Sequence, residues 1–247
     1  MPLLLVNGEK LDFDFALFDV DGTLVDDEDR YRSLAALRFE AIEARAGRMA
    51  AETWAPLGGY DSAACTIDMS GPVAKAARRE DMAIAAVAIY RTGRGWHEAR
   101  ALAEAAYADA DAAQMRDYTP KLFPGVEVSL RRLKSMDFTL GIATNGSNKI
   151  TCQLLEIFDI YSLFSVVTGS EDAPNPKPAP DLLLTACTKA KMKPSRAFYI
   201  GDQPVDYEAA KAAGCTGCII VGREPVVSSQ FVRRVASVAD LAQTRES

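Results

Sequence analysis

Two spacings of apolar residues succeed one another along this chain. Residues 15–18, FALF, form a short unbroken apolar run of the kind a strand buried on both faces carries. Residues 12–24 therefore read as a strand, a tight turn and the start of something new. From about Asp26 to Tyr118 the spacing lengthens. Segments such as YRSLAALRFEAIEARAG and HEARALAEAAYADADAAQMRDY repeat apolar residues every three or four positions with charges between, which predicts amphipathic helices. Strand-like alternation is absent there, and the Gly/Pro-punctuated stretch APLGGYDSAACTIDMSGP breaks the helical block in the middle.

After Thr119 the pattern changes again. FPGVEVSLRRLKSM predicts a turn and a helix, FTLGIATN a strand ending in small polar residues, and NKITCQLLEIF a helix. LFSVVTGSE is a second strand, PAPDLLLTACTKA a helix with proline at its start, and AFYIGD a third strand. QPVDYEAAKAAG is a helix closed by Gly214, and CTGCIIVG a fourth strand. Past Val221 the sequence predicts a loop, a short strand or turn at FVRRVAS, and a polar tail. Alternating strands and helices make a parallel sheet covered by helices. The first strand belongs to it, so the helical block is an insertion. The predicted architecture is a Rossmann-like, doubly wound α/β core (residues 1–25 and 119–247) with an inserted all-α cap (residues 26–118).

Composition narrows the function. A net charge of -6 disfavours a nucleic-acid or anionic-membrane binder, which needs a clustered basic face. No apolar run is long enough to span a bilayer. MPLLLVNGEK is too short and too soon charged for a secretory leader, so the expected location is the cytoplasm. Five cysteines in 247 residues are no disulfide framework. The Cys215-x-x-Cys218 pair lacks a second metal pair, with the only histidine, His97, far off in sequence; two ordinary buried thiols are expected.

The densest acid cluster, FDVDGTLVDDED (residues 18–29), begins at the end of the first strand. In open α/β sheets ligands bind beyond the carboxyl ends of the strands, so the residues following each strand matter most. These are Asp19, Asp21, Gly22 and Thr23; then Thr144, Asn145 and Gly146; then Lys177 in NPKPAP; then Asp202 and Asp206. Like charges ~4 Å apart repel by about 4 kcal/mol at an effective dielectric near 20, so converging acids need a counter-charge. An all-oxygen set favours Mg²⁺, and with Lys177 such an ion would hold a phosphate against the carboxylates. The pattern predicts metal-assisted phosphoryl transfer.

The ordered set DVDGT, TN, KP and GDQPVD, spread over alternating strands and helices, resembles the four motifs of the haloacid dehalogenase superfamily. A cap directly after the first motif is similar to the branch containing phosphoglycolate phosphatase and β-phosphoglucomutase. The likeness runs from Phe13 to about Val221. It implies that Asp19 is the nucleophile, forming an aspartyl-phosphate, and that Asp21 is the general acid and then the base for water. Gly22 allows the sharp turn between them and Thr23. Thr144, with the amides around Asn145 and Gly146, would bind the phosphoryl oxygens, and Lys177 would balance charge. Mg²⁺ would rest on Asp19, the backbone carbonyl of Asp21, Asp202 and, directly or through water, Asp206.

Each residue has a plainer competitor. Asp-Gly is common turn chemistry, Thr144-Asn145-Gly146 reads equally as a plain turn, Asp202 is a ready helix cap, and a lysine between prolines is usually solvated. All four would have to hold together. Trp54 and Trp96 are expected to pack, and His97 with Arg78-Arg79 to lie on solvated helix faces. Retention of Asp21 favours phosphate-ester chemistry over dehalogenation or phosphonate cleavage. WAPLGGYDSAAC carries no mutase-type cap signature, which favours hydrolysis over a sugar phosphomutase; a regulatory protein on this scaffold would be expected to have lost a charged residue. The expected partner is a small phosphorylated metabolite: phosphoglycolate, a sugar phosphate or a nucleotide monophosphate. Acids 26–29 are expected to mark the exposed exit to the cap.

Overall fold

The structure, a computed structural model, describes residues 2–76, 78–222 and 230–242, with the side chains of Arg78, Arg79 and Ala242 outside that description. The solvated role expected of Arg78-Arg79 and the polar tail at residues 243–247 therefore lie outside the described residues, as do residues 223–229 of the predicted final loop.

The chain opens with an antiparallel hairpin, β1 (Leu3–Val6) and β2 (Glu9–Asp12). Asn7 and Gly8 turn it, both at positive φ (51° and 82°), as a two-residue turn matched to strand twist requires. Leu4, Val6 and Leu11 enter the core beside Val235, Val238 and Leu241. β3 (Phe15–Phe18) follows, buried at every position.

Residues Asp27–Pro120 form one compact unit; Met1–Asp26 and Lys121–Ser247 form the other. The first contains α1 (Asp27–Ala46), α2 (Arg48–Gly58), α3 (Pro72–Lys75), α4 (Arg78–Tyr90) and α5 (Trp96–Asp117). It also carries a two-residue ladder, β4 (Tyr60–Asp61) with β5 (Thr66–Ile67), where the sequence predicted helices and a break only. Its own core holds Ile42, Trp54, Ile89 and Tyr107 among alanines. Trp54 is wholly buried; Trp96 is half-exposed, edge-on to Tyr90, and His97 is exposed. Acids 26–29, expected to mark an exposed exit, do stand where the chain passes from one unit to the other, but of the four only Glu28 is exposed. Asp27, Glu28 and Asp29 make the first turn of α1, where carboxylates complement the helix dipole, and Asp29 pairs with Arg32.

The chain returns through α6 (Val126–Ser135), β6 (Thr139–Ala143), α7 (Asn148–Ile157), β7 (Phe164–Thr168), α8 (Asp181–Ala190), β8 (Ala197–Gly201), α9 (Pro204–Ala213), β9 (Gly217–Val221) and β10 (Val232–Val235). Gly214 closes α9 in the left-handed conformation. The six-stranded sheet runs β10-β9-β8-β3-β6-β7 and every pairing is parallel. It is a doubly wound α/β sheet. Alternate residues serve opposite faces: Ala16, Phe18, Phe198 and Ile200 pack with Val126, Leu130 and Leu133 of α6. Phe15, Leu17, Tyr199 and Ile220 pack with Leu182 and Leu183 of α8 and Ala209 of α9. Burying a Phe or Leu contributes roughly 1.5–3 kcal/mol, so runs apolar on both faces fix β3 centrally. Among the described residues no helix is long and apolar enough to cross a membrane. All five cysteines are free, and burial pushes the thiols of Cys215, to about 12, and Cys218 upward, as inert core thiols.

Candidate active site

β3 ends at Phe18, and pairing continues one residue beyond it, with Asp19 N donating to Ile200 O at 2.8 Å. The chain then coils around one carbonyl: Val20 O accepts from the N–H groups of Thr23, Leu24 and Val25. This turn carries Asp19 and Asp21 at the carboxyl edge of the central strand. Gly22 sits in it at φ 74°, and a Cβ there would lie 2.4 Å from Asp202 Oδ2. Both the backbone conformation and the approach of the Asp202 carboxylate thus require glycine. Thr23 Oγ1 donates to Asp202 Oδ1 at 3.2 Å, joining the turn after β3 to the one after β8.

Lys177 lies at the centre of the charged groups. Its ammonium is 3.0 Å from Asp19 Oδ1 and 2.7 Å from Asp206 Oδ1, and it donates to the Tyr199 hydroxyl at 2.8 Å. The other oxygen of Asp206 accepts from the backbone N–H of Asp202 (3.1 Å) and of Gln203 (2.9 Å), which closes the N-terminus of α9. Gly201 makes room for this, since a Cβ there would meet Asp206 Oδ2 at 2.3 Å. Asp206 is thereby fully buried and satisfied at both oxygens.

Thr144 follows β6, its N–H bound to Thr168 O and its hydroxyl accepting from Gly146 N at 3.1 Å. The side chain of Asn145 is committed elsewhere: it accepts from Lys177 N at 2.7 Å and donates to Lys177 O at 3.2 Å. The start of α7 is capped from a distant loop, with Glu171 accepting from Ser147 Oγ at 2.5 Å and from Asn148 N at 2.7 Å. Those donors pull the Glu171 carboxyl down to about 2.

Ligand oxygens of Asp19, Asp202 and Asp206 lie within 4.8 Å of one another. Burial pushes the Asp19 carboxyl up to about 6 against the opposing pull of Lys177, while Asp206 adds to the rise. The same carboxylates raise Lys177 despite its burial, which keeps it an ammonium. Three carboxylates facing one ammonium leave the cluster net negative. An all-oxygen, net-anionic donor set fits a hard divalent cation.

Of the ten residues singled out from sequence, eight stand on the loops after β3, β6 and β8, Lys177 lies between β7 and α8, and Asp206 is in the first turn of α9. Two residues that hold them were missed, Tyr199 and Glu171. The signal for Tyr199 was a hydroxyl inside an otherwise apolar strand; Glu171 caps a helix 23 positions earlier in the chain and left no local signal.

A doubly wound parallel sheet with acids and a lysine gathered at its carboxyl edge defines the class of this protein. Residues 75–220 match the family model of haloacid dehalogenase-like hydrolases, a span that includes Thr144, Lys177, Asp202 and Asp206 but not Asp19 or Asp21. The chain belongs to the haloacid dehalogenase-like hydrolase family. It is 42% identical over 94 residues to the phosphoglycolate phosphatase of Escherichia coli (strain K12), a stretch that is 38% of this chain and 37% of that protein. The same holds for the phosphoglycolate phosphatase of Salmonella typhimurium, so the chain spans little more than a third of these relatives' length. Among solved structures, a HAD-superfamily hydrolase of Geobacter sulfurreducens superposes with a TM-score of 0.63 at 22% identity, covering 92% of this chain and 94% of that one. CbbY of Rhodobacter sphaeroides, solved with phosphate, superposes with a TM-score of 0.55 at 23% identity, covering 93% and 96%. These likenesses are likenesses of fold.

Proposed function

We propose that the protein is a divalent-cation-dependent phosphatase, with Mg²⁺ as the cation, acting on a small phosphomonoester. The observation that carries this reading is the Lys177 ammonium 3.0 Å from Asp19 Oδ1, beside the Asp202 carboxylate. Asp19, Asp202 and the backbone carbonyl of Asp21 would hold the cation, with Asp206, whose oxygens also accept protein hydrogen bonds, ligating directly or through water. When bound, the cation neutralises phosphate charge and aligns the ester for in-line attack.

The chain's own groups carry the steps. An Asp19 oxygen attacks phosphorus, forming the acyl-phosphate bond as the ester P–O bond breaks. Asp21 gives its proton to the leaving oxygen, then takes one from the water that attacks the aspartyl-phosphate, releasing inorganic phosphate and restoring Asp19. Thr144 and the amides of Asn145 and Gly146 bind the phosphoryl oxygens, Gly22 and Thr23 hold the turn, and Lys177 keeps Asp19 ionised and in place. Phosphoglycolate stands first among substrates because the relatives matching over 94 residues carry that activity in their names. Residues 27–120, inserted directly after the Asp19–Asp21 turn, are the proposed cap that selects the alcohol portion.

Turnover of p-nitrophenyl phosphate, phosphoglycolate, sugar phosphates and nucleotide monophosphates, with Mg²⁺ and with a chelator, tests the reading. Expected is Mg²⁺-dependent release of phosphate that Asp19→Asn abolishes. Wild type inactive on every member of the panel would refute it.

A further inference from the structure

Tyr199 departs from the rest of its strand. Ala197, Phe198 and Ile200 are apolar and buried, whereas the Tyr199 hydroxyl lies among the charges at the sheet's edge. It donates to the backbone oxygen of Ala143, the last residue of β6, and accepts from Lys177 Nζ at 2.8 Å. A phenol has one proton to give; with that proton on Ala143, the oxygen presents only lone pairs to Lys177. Burial, reinforced by Asp19 and Asp206, pushes the phenol's ionisation well above its usual value, so the proton stays.

An ammonium has three N–H groups, and Lys177 has three acceptors: Asp19 Oδ1, Asp206 Oδ1 and the Tyr199 hydroxyl. They come from the turn after β3, from α9 and from β8, so together they allow the buried ammonium one orientation. The lysine's backbone is held separately by Asn145. Both anchors lead to one place: Asn145 and Ala143 flank Thr144.

We propose that Tyr199 is a positioning residue for phosphoryl transfer: by taking the third hydrogen of the Lys177 ammonium, it keeps that charge on Asp19 and registers it against the Thr144 loop. The inference rests on the phosphatase reading. A neutral acceptor suits this position better than the alternatives. A fourth carboxylate would add charge to a cluster already net negative. An apolar residue would leave one buried N–H unpaired and free the ammonium to swing toward Asp206 and away from Asp19. If Tyr199 served only to fill the layer between the sheet and α8, phenylalanine would do as well.

The test is Tyr199→Phe in the intact chain, read in two ways. Turnover of p-nitrophenyl phosphate should show kcat lower by about tenfold with KM little changed, the signature of an interaction realised in the transition state. Independently of activity, ¹⁵N-lysine spectra, assigned with Lys177→Met, should show a slowly exchanging Lys177 ammonium in wild type whose exchange quickens by about tenfold or more in the variant. Unchanged kcat together with an unchanged ammonium signal overturns the proposal. Should the variant not fold, wild type still decides: a nuclear Overhauser contact between the Lys177 ammonium and the Tyr199 ring supports the assignment, and its absence refutes it. A wild type that hydrolyses no phosphate ester sinks the phosphatase reading, and the ammonium spectra then judge the contact alone.

Discussion

Asp19 is asked to be both buried and charged, and its neighbours set the terms. Its carboxyl is pushed up to about 6 by burial, against the pull of the Lys177 ammonium it shares with Asp206, whose own charge adds to the rise. A folded value above the ordinary 3.8 means that the stability owed to the neutral acid is present below that pH and lost as pH rises through about 6. Above pH 6 the metal-free protein therefore carries an ionised Asp19 at a cost. Asp19→Asn removes the charge and keeps an oxygen for Lys177. Calorimetry in chelator at pH 7.5 should find its midpoint raised by a few degrees, at the ~2–4 °C per kcal/mol usual for chains of this size, even as turnover disappears. A lower midpoint would mean that the ion pair outweighs the burial. Gly22→Ala tests the opposite kind of constraint, since its Cβ would sit 2.4 Å from Asp202 Oδ2 at a φ that disfavours side chains. Mg²⁺ affinity by titration calorimetry should fall about 10–100-fold, the loss typical when support behind a ligand is disturbed; unchanged affinity would remove Asp202 from the proposed shell.

At the scale of elements, what was legible in the sequence followed from burial. Strands apolar on both faces, such as β3, β8 and β9, can only be central in a covered sheet. Once the sheet was placed, the residues after each strand fell on one edge. The opening hairpin, absent from the sequence expectations, carries a local signal of its own, since Asn7-Gly8 between LLLV and EKLD is strong hairpin-turn chemistry. The Tyr199 and Glu171 contacts were beyond reach for another reason: which side chain meets which across 22 or more positions depends on helix and strand packing, not on local pattern. In the helical unit the same limit applies to Arg38 of α1, which is buried, paired with Asp81 of α4 and stacked on Tyr107 of α5. In the sequence Arg38 looks like any charge on a helix surface. Arg38→Met should leave the buried Asp81 carboxylate short of its countercharge and cost about 3–5 kcal/mol in urea denaturation, whereas Arg38→Met with Asp81→Leu should recover most of it. A loss below ~1 kcal/mol in the single variant would place the pair among ordinary surface bridges.

For the whole molecule, the question is whether the α/β unit is complete without its insertion. Its core draws on both sides of the break: Phe18, Val20 and Leu24 before it pack with Val126, Leu130 and Ile142 after it. The two ends of the break are already joined by backbone hydrogen bonds. Asp26 N donates to Lys121 O at 2.9 Å, Phe123 N donates to Leu24 O at 3.0 Å, and Val25 bridges Leu122 in antiparallel sense. A few glycines between Asp26 and Lys121 would therefore close the chain without moving either end, and short loops of this kind cost little entropy. What remains is roughly 150 residues, a size at which a domain buries about two thirds of its unfolded surface. We expect the excised chain to fold cooperatively, to bind Mg²⁺ within about tenfold of the intact protein, and to hydrolyse p-nitrophenyl phosphate slowly, because Asp19, Asp21, Thr144, Lys177, Asp202 and Asp206 all lie within it. Its preference among natural phosphomonoesters should vanish if residues 27–120 choose the substrate. Circular dichroism melting, titration calorimetry and the substrate panel read these separately. An excised chain that does not fold would show that the helical unit is part of the scaffold, and one that keeps full discrimination would move specificity into the sheet's own loops.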